Sequence, residues 1–411
     1  MFKLFRWKWI FLLVVLAFDF IIAIRTQREF FFFFFWILLS FSVLSFLWVI
    51  IEYFLINLQV ERRVVGKIEE DDYLEIEAVI HNKSRLPVFN FVLEDFVSCA
   101  SAQERQQRKL FEYVKASAIS SLKYRVWCPL RGRYKIGPFC AYLFDPWGFF
   151  FLRKQYEVYS EVYVYPQTFY IKRMPSLVKG SAPWFGIETS RISGDEHEFY
   201  GIREYQRGDP IKKIHWFTTA RKNKLIIKQF QRQVFYRVTI LFNLDKESNY
   251  GEGKESVIEY TVKIAASVAK YYLEQDISLE IIAHTGEIVH LPFNKGEEHL
   301  EDVLRFLAIA QAESRVSLGE IFEEFSRFLP NDSTLIVIMT DTDWQQLLAM
   351  LSLKSRNISI VPLILLSASF VTATEKKSVI SEVQMKLPAG FGAPPIFFSR
   401  GESLEEPFYK Y

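Results

Sequence analysis

The chain has 411 residues and a formal net charge of +2, and 50% of its residues are hydrophobic. That length is enough for two or three domains, each with its own core. Much of the apolar excess lies before residue 58, which excludes a wholly soluble class and marks a membrane-anchored globular protein. The three cysteines, Cys99, Cys128 and Cys140, cannot all pair within the chain. They lack Cys-x-x-Cys spacing, so zinc is not expected, and isolated thiols suit a reducing compartment.

Residues 9–24 are apolar apart from Asp19. After Arg25 and Arg28, no charge appears over residues 30–51. That run of about 22 residues suffices to cross a bilayer core of about 30 Å. Residues 1–58 therefore read as a two-helix transmembrane hairpin. A cleaved signal does not fit, because no small-residue site follows Ile24 and a second span comes almost at once. Lys3, Arg6 and Lys8 precede the hairpin, and Arg62, Arg63 and Lys67 follow it. This bias places both ends in the cytoplasm. Asp19 is expected in the hairpin interface or snorkelling toward the surface, with a functional intramembrane acid as the alternative.

Residues 60–175 carry strand signals. Leu74, Ile76, Ala78 and Ile80 fall on one face of an alternating run, with a turn at residues 81–84. Residues 88–97, 122–128 and 158–165 read as further strands. A turn and short strand are expected at residues 131–138. Residues 101–115 are polar and read as a loop or short helix. Several short strands with regular turns predict a β-sandwich. Asp145-Pro146-Trp147-Gly148-Phe149 is turn chemistry, with Gly148 expected at positive φ. Residues 176–235 are a linker and a distinctive basic segment. Within the linker, Asp195-Glu196-His197-Glu198 reads as a solvated loop rather than a metal site.

The basic segment runs over residues 198–232. Its cations include Arg203, Arg207, Lys212, Lys213, Arg221 and Lys222, threaded with Tyr205, Ile211, Ile214, Trp216 and Phe217. Asp209 is expected to cap a helix that starts at Pro210. Ile211, Ile214 and Thr218 would share its inner side. Trp216 is expected to be buried, and Lys212 and Lys213 exposed. Residues 221–224 read as a polar turn, and residues 225–230 as a strand.

The spacing of Arg203, Tyr205, Gly208, Asp209, Ile214, His215, Trp216, Ala220 and Arg221 resembles the signature of the bacterial "domain of unknown function 58" family. The runs Arg131–Tyr134 and Asp145–Phe149 resemble further features of that family. Members commonly accompany MoxR-type AAA+ ATPases, thought to remodel protein complexes. The resemblance therefore implies a separate AAA+ motor as partner, since this chain has no phosphate loop of its own.

Residues 236–370 alternate strand and helix, which predicts a mostly parallel sheet covered on both faces. The expected strands are 237–245, 277–283, 335–339 and 358–366. The expected helices are 255–274, 299–310, 318–328 and 344–353. The order is similar to a von Willebrand A-type (Rossmann-like) domain, which the family often carries. Such domains hold Mg²⁺ with Asp-x-Ser-x-Ser after the first strand and a later Asp. Here Asp245 matches, but Glu247 and Asn249 stand at the serine positions. Asp341 is the candidate later acid. Oxygen ligands remain, so Mg²⁺ is chemically possible. No resident cofactor is expected, because the ligand pattern is degenerate. Residues 371–411 read as an irregular tail.

The expected architecture is thus a membrane-anchored α+β multidomain protein: hairpin, β-sandwich, α/β domain. One functional class is an enzyme using Asp209 and His215 as a general-base pair. No nucleophile elbow, zinc helix or phosphate loop accompanies them, so an enzyme is not expected. The other class is a binding module. Nucleic acid does not fit a membrane-tethered chain without a reading motif. Anionic lipid would suit the basic segment if it faced the bilayer. The favoured reading is a non-catalytic accessory or scaffold protein with an acidic protein partner.

Overall fold

The computed structural model describes residues 2–174, 199–207, 209, 211–230, 236–371 and 393–409. The chain divides into two compact units, Met1–Pro166 and Gln167–Tyr411. Phe169, Ile171 and Met174 belong to the core of the second unit, so the β-rich unit ends short of the expected residue 175. The linker over residues 176–198, with its acidic cluster at 195–198, lies outside the described residues.

The first unit opens with helices α1 (Phe2–Thr26) and α2 (Glu29–Leu55). Both are long and apolar enough to cross a membrane, and they anchor the protein there. Asp19 is buried within the unit. The buried residues of α2 are Ser42, Ser45, Val49 and Glu52, spaced three and four apart on one face.

The strands follow in order: β1 (Leu58–Val65), β2 (Ile68–Glu69), β3 (Asp72–Asn82), β4 (Val88–Phe96) and β5 (Gln106–Val114). Then come β6 (Ile119–Cys128), β7 (Gly132–Ile136), β8 (Phe139–Phe144), β9 (Phe151–Tyr156) and β10 (Ser160–Tyr165). They form sheets in the orders β1-β3-β6, β2-β10-β7 and β5-β4-β8-β9. Leu74, Ile76, Ala78 and Ile80 of β3 share one core with Phe91 and Leu93 of β4 and with Ala141 and Leu143 of β8. Residues 106–114 were expected in a loop or helix but form β5, an edge strand in which only Phe111 and Val114 are buried. Gly148 has φ of 71°, as its turn requires.

In the second unit, β11 (Phe199–Glu204) pairs antiparallel with β12 (Ile226–Phe230), with helix α3 (Trp216–Lys222) between them. The rest is a six-stranded sheet. Its elements run β13 (Arg237–Asn243), α4 (Val257–Leu273), β14 (Ser278–His284), β15 (Ile288–Asn294) and α5 (Gly296–Ile309). They continue as α6 (Leu318–Phe325), β16 (Thr334–Thr340), α7 (Trp344–Met350), β17 (Ser359–Leu365), α8 (Ser367–Phe370) and β18 (Ile396–Phe398). The spatial order is β15-β14-β13-β16-β17-β18, parallel except for the β14–β15 pair. Alternate strand residues feed two cores. Ile240, Ile338 and Leu363 meet α4 and α5, while Leu241, Val337 and Ile360 meet α6 and α7. The C-terminal stretch was expected to be irregular, yet β18 extends the sheet, and Phe398 and Phe408 are buried in its core. Residues 372–392 lie outside the described residues.

Candidate functional site

The basic segment is a hairpin with an inserted helix. Tyr205 N–H donates to Leu225 carbonyl at 2.9 Å, and His215 N–H to Ile226 carbonyl at 2.8 Å. Ile214, Ile226 and Ile227 are buried and hold the insert down. A short 3-10 turn covers Ile211–Lys213, and α3 begins only at Trp216.

The helix cap differs from expectation. His215, not Asp209, is the N-cap of α3, and its ring accepts from Thr218 N–H at 3.2 Å. Its Nδ1 also lies 2.7 Å from Thr218 Oγ1. Asp209 instead takes both Nη atoms of Arg203, each at 2.7 Å, and Gln206 N–H at 2.8 Å. The Arg203 guanidinium, then the Gln206 N–H, holds the Asp209 carboxyl below the usual carboxylate range. The carboxylate therefore closes the turn after β11 rather than priming His215. Asp209 and His215 lie only six positions apart in the sequence. The geometry sends each to a different partner.

The second difference concerns burial. Trp216 was expected inside but is 65% exposed, and Phe217 is 77% exposed. Ile211, expected on the inner side, is 67% exposed, and Ile214 alone of that set is buried. Only two turns of α3 exist, and the inner contacts go to Ile214 and to the strands, so the aromatic side chains face outward. Arg207, Lys212, Arg221 and Lys222 are exposed beside them in the segment. Arg221 and Lys222 lie in the last turn of α3 rather than in a loop, where cations suit the helix dipole. Asn223 ends the helix in the left-handed region at φ of 51°. Gly208 and Pro210 lie outside the described residues, as does the side chain of Lys213.

A second polar cluster sits at the C-terminal ends of β13 and β16, where open α/β sheets bind ligands. A small pocket there is lined by Asn243, Asp245, Ser248, Asn249, Thr340 and Asp343. Asp245 accepts from Ser248 N–H at 2.9 Å and from Ser248 Oγ at 2.8 Å. Asp341, the expected second ligand, accepts from Ser367 N–H at 3.0 Å and is not part of the pocket lining. Asp343 takes that position, two residues further along. Burial pushes its carboxyl up, against a hydrogen bond from Thr340, and Asp245 and Asp341 push it further. Among the described residues there is no group of three or more His, Cys, Asp or Glu side chains that could hold a metal.

Residues 201–363 match the family model described as "Protein of unknown function DUF58". The match begins in β11 and ends in β17, so it takes in both the hairpin with α3 and most of the α/β sheet. The runs at residues 131–134 and 145–149 lie outside it. The chain is similar to the "Uncharacterized protein YeaD" of Bacillus subtilis (strain 168), at 23% identity over 250 residues. That alignment covers 59% of this chain and 60% of the relative's length. Solved structures include the CARDB domain of the PF1109 protein from Pyrococcus furiosus, at 12% identity over 27% of this chain and 94% of that chain, with a TM-score of 0.21. Another is the alkylpurine DNA glycosylase AlkC of Pseudomonas fluorescens, at 9% identity over 27% of this chain and 30% of that chain, with a TM-score of 0.18. Likenesses this slight carry no argument about fold or function.

Proposed function

We propose that the protein is a non-catalytic, membrane-anchored scaffold that docks an acidic protein partner on the exposed face of α3. The observation that carries this reading is Trp216 and Phe217 standing outward in a segment with exposed Arg207, Lys212, Arg221 and Lys222. Large aromatics and arginines are the residues that dominate binding energy at interfaces. The surrounding cations select an acidic surface and speed its approach. A MoxR-type AAA+ ATPase is the partner we favour. The test is capture of that ATPase from detergent-solubilised native membranes at low salt. Wild-type protein is expected to retain it, and a Lys212→Glu, Arg221→Glu variant to lose it. Capture that survives charge reversal in a folded variant would overturn the reading, and turnover of a substrate by purified protein would favour the Asp209/His215 enzyme instead.

The strands of the first unit support reading it as a β-sandwich, since β3 and β4 come from different sheets and share one core. The parallel sheet with helices on both faces supports a von Willebrand A-like reading of the second. We read that domain as working without a resident metal. Added Mg²⁺ is expected to leave its melting temperature unchanged. A rise that Asp245→Ala abolishes would instead establish a site, because a ligand of the folded state stabilises it by mass action.

We place the globular parts in the cytoplasm, on the charge bias around the hairpin. The native cysteines cannot report this, because all three are buried. Leu86 is 49% exposed, so Leu86→Cys supplies a reactive thiol. A membrane-impermeant maleimide is expected to spare it in intact cells and to label it after lysis. Labelling in intact cells would reverse the orientation.

A further inference from the structure

The turn between β8 and β9 does not stop at the end of the hairpin. Phe41 of α2 lies 4.5 Å from the Trp147 ring, centroid to centroid, and Phe46 lies 5.4 Å from Phe150. Between them Ser45, fully buried, donates to Asp145 Oδ2 at 2.5 Å. Further along β9, Lys154 Nζ donates to the Ile56 carbonyl at 2.8 Å, at the C-terminal end of the helix. The β8–β9 hairpin therefore runs alongside α2 with its tip pointing back toward the helix start.

The charge-free run of α2 covers residues 30–51 and ends at Glu52. At 1.5 Å per residue, Ser45 lies about 10 Å and Phe41 about 16 Å on the bilayer side of Glu52. Sliding the helix outward until Phe41 clears the bilayer would leave roughly 18 Å of apolar helix inside, too short for a core of about 30 Å. It would also strand Leu44, Trp48 and Ile51 in water, since each is about half exposed or more in this structure, with that face uncovered by protein.

We propose that residues 145–150 form a third membrane element, a turn that enters the acyl region beside α2 and fixes the depth of the β unit. Its occupant is the lipid of the same bilayer, continuous with the lipid around the hairpin. Three features fit. Irregular backbone is tolerated at membrane depth where it packs against protein and its polar groups find partners. Here Asp145 accepts from Trp147 N–H at 3.2 Å and from Phe150 N–H at 2.7 Å, and Gly148 N–H donates to the Asp145 carbonyl at 3.0 Å. Pro146 has no N–H to satisfy. The helix face beneath the turn is small and polar, with Ser42 and Ser45, which lipid would not solvate. The outer face of the turn is apolar, with Trp147 53% exposed. The sequence then changes at Arg153 and Lys154, level with the end of α2, where headgroup phosphates would meet them.

The test uses the full-length protein in vesicles of phosphatidylethanolamine and phosphatidylglycerol. A nitroxide is attached at Trp147→Cys, at Leu44→Cys as a lipid-facing reference and at Gln155→Cys as an aqueous one. The unsubstituted protein, with its buried thiols, gives the background. The label at 147 is expected to meet dissolved oxygen as the label at 44 does. It is expected to meet a polar nickel chelate roughly tenfold less often than the label at 155, because polar solutes are excluded from the acyl region. Phe149→Cys should read the same, which separates depth from any local effect of losing the tryptophan. Nickel access at both 147 and 149 equal to that at 155 would overturn the proposal.

Discussion

Replacing Arg62 with methionine is expected to destabilise the β unit by about 3–5 kcal/mol, the cost of leaving a buried charge without its partner. The Arg62 side chain is fully covered and that of Asp95 is 3% exposed. Its guanidinium grips both Asp95 oxygens, with Nε at 3.1 Å from Oδ2, and donates to the Ile136 carbonyl at 3.0 Å. The guanidinium also stacks 4.2 Å from the Phe139 ring centroid. Tyr124 donates its hydroxyl to the same carboxylate, and burial with the Asp95 charge pushes that hydroxyl up so that it stays protonated. Methionine would leave a buried carboxylate facing one hydroxyl. The three cysteines all lie in this unit and are buried, so their reactivity in urea reads its unfolding directly. With a urea slope of about 1–3 kcal/mol per molar, the midpoint should fall by roughly 2 M. Arg63→Met, on the exposed face of the same strand, should change stability by under about 0.5 kcal/mol. An unchanged midpoint in Arg62→Met would show that the pair contributes no stability.

The same arginine marks where local pattern no longer fixes a residue's place. Arg62 and Arg63 both count as cations flanking a membrane span. However, Val60, Arg62 and Val64 alternate on one side of β1, and that period was the available sign that Arg62 faces inward. Strands with a strong alternation, such as β3, are legible because half their residues must be buried. β5 is not, because as an edge strand it buries only Phe111 and Val114, and its remaining charge reads as loop. β15 is another edge strand, without a fully buried residue, and was missed for the same reason. At the candidate site, the pattern located the residues but not their neighbours. Asp209 and His215 lie six positions apart, and nothing local says that Arg203 will claim one and Thr218 the other. Asp341 is the first acid after β16, so position alone points to it and not to Asp343. Which of two nearby acids turns into the pocket depends on the 3-10 turn that carries them both.

The exposed aromatics of α3 give the sharper expectation about function. Truncating a buried tryptophan costs about 3–5 kcal/mol of stability. Trp216 is 65% exposed and Phe217 77%, so Trp216→Ala with Phe217→Ala should leave the melting temperature of the protein nearly unchanged, within about 0.5 kcal/mol. The hairpin keeps its anchors, since Ile214, Ile226 and Ile227 are buried and the His215 cap uses the backbone of Thr218. Binding should respond very differently. An aromatic anchor at the centre of an interface contributes about 2 kcal/mol or more, so capture of the partner should weaken by roughly thirtyfold or beyond. The two kinds of variant also separate by salt. Reversal of Lys212 and Arg221 acts through long-range charge, and its effect should fade as salt screens the surface. Loss of the aromatics removes buried apolar area, and its effect should persist at high salt. A double alanine variant that melts far below wild type would return both side chains to a structural role. One that melts normally and binds at full strength would show that the partner docks elsewhere.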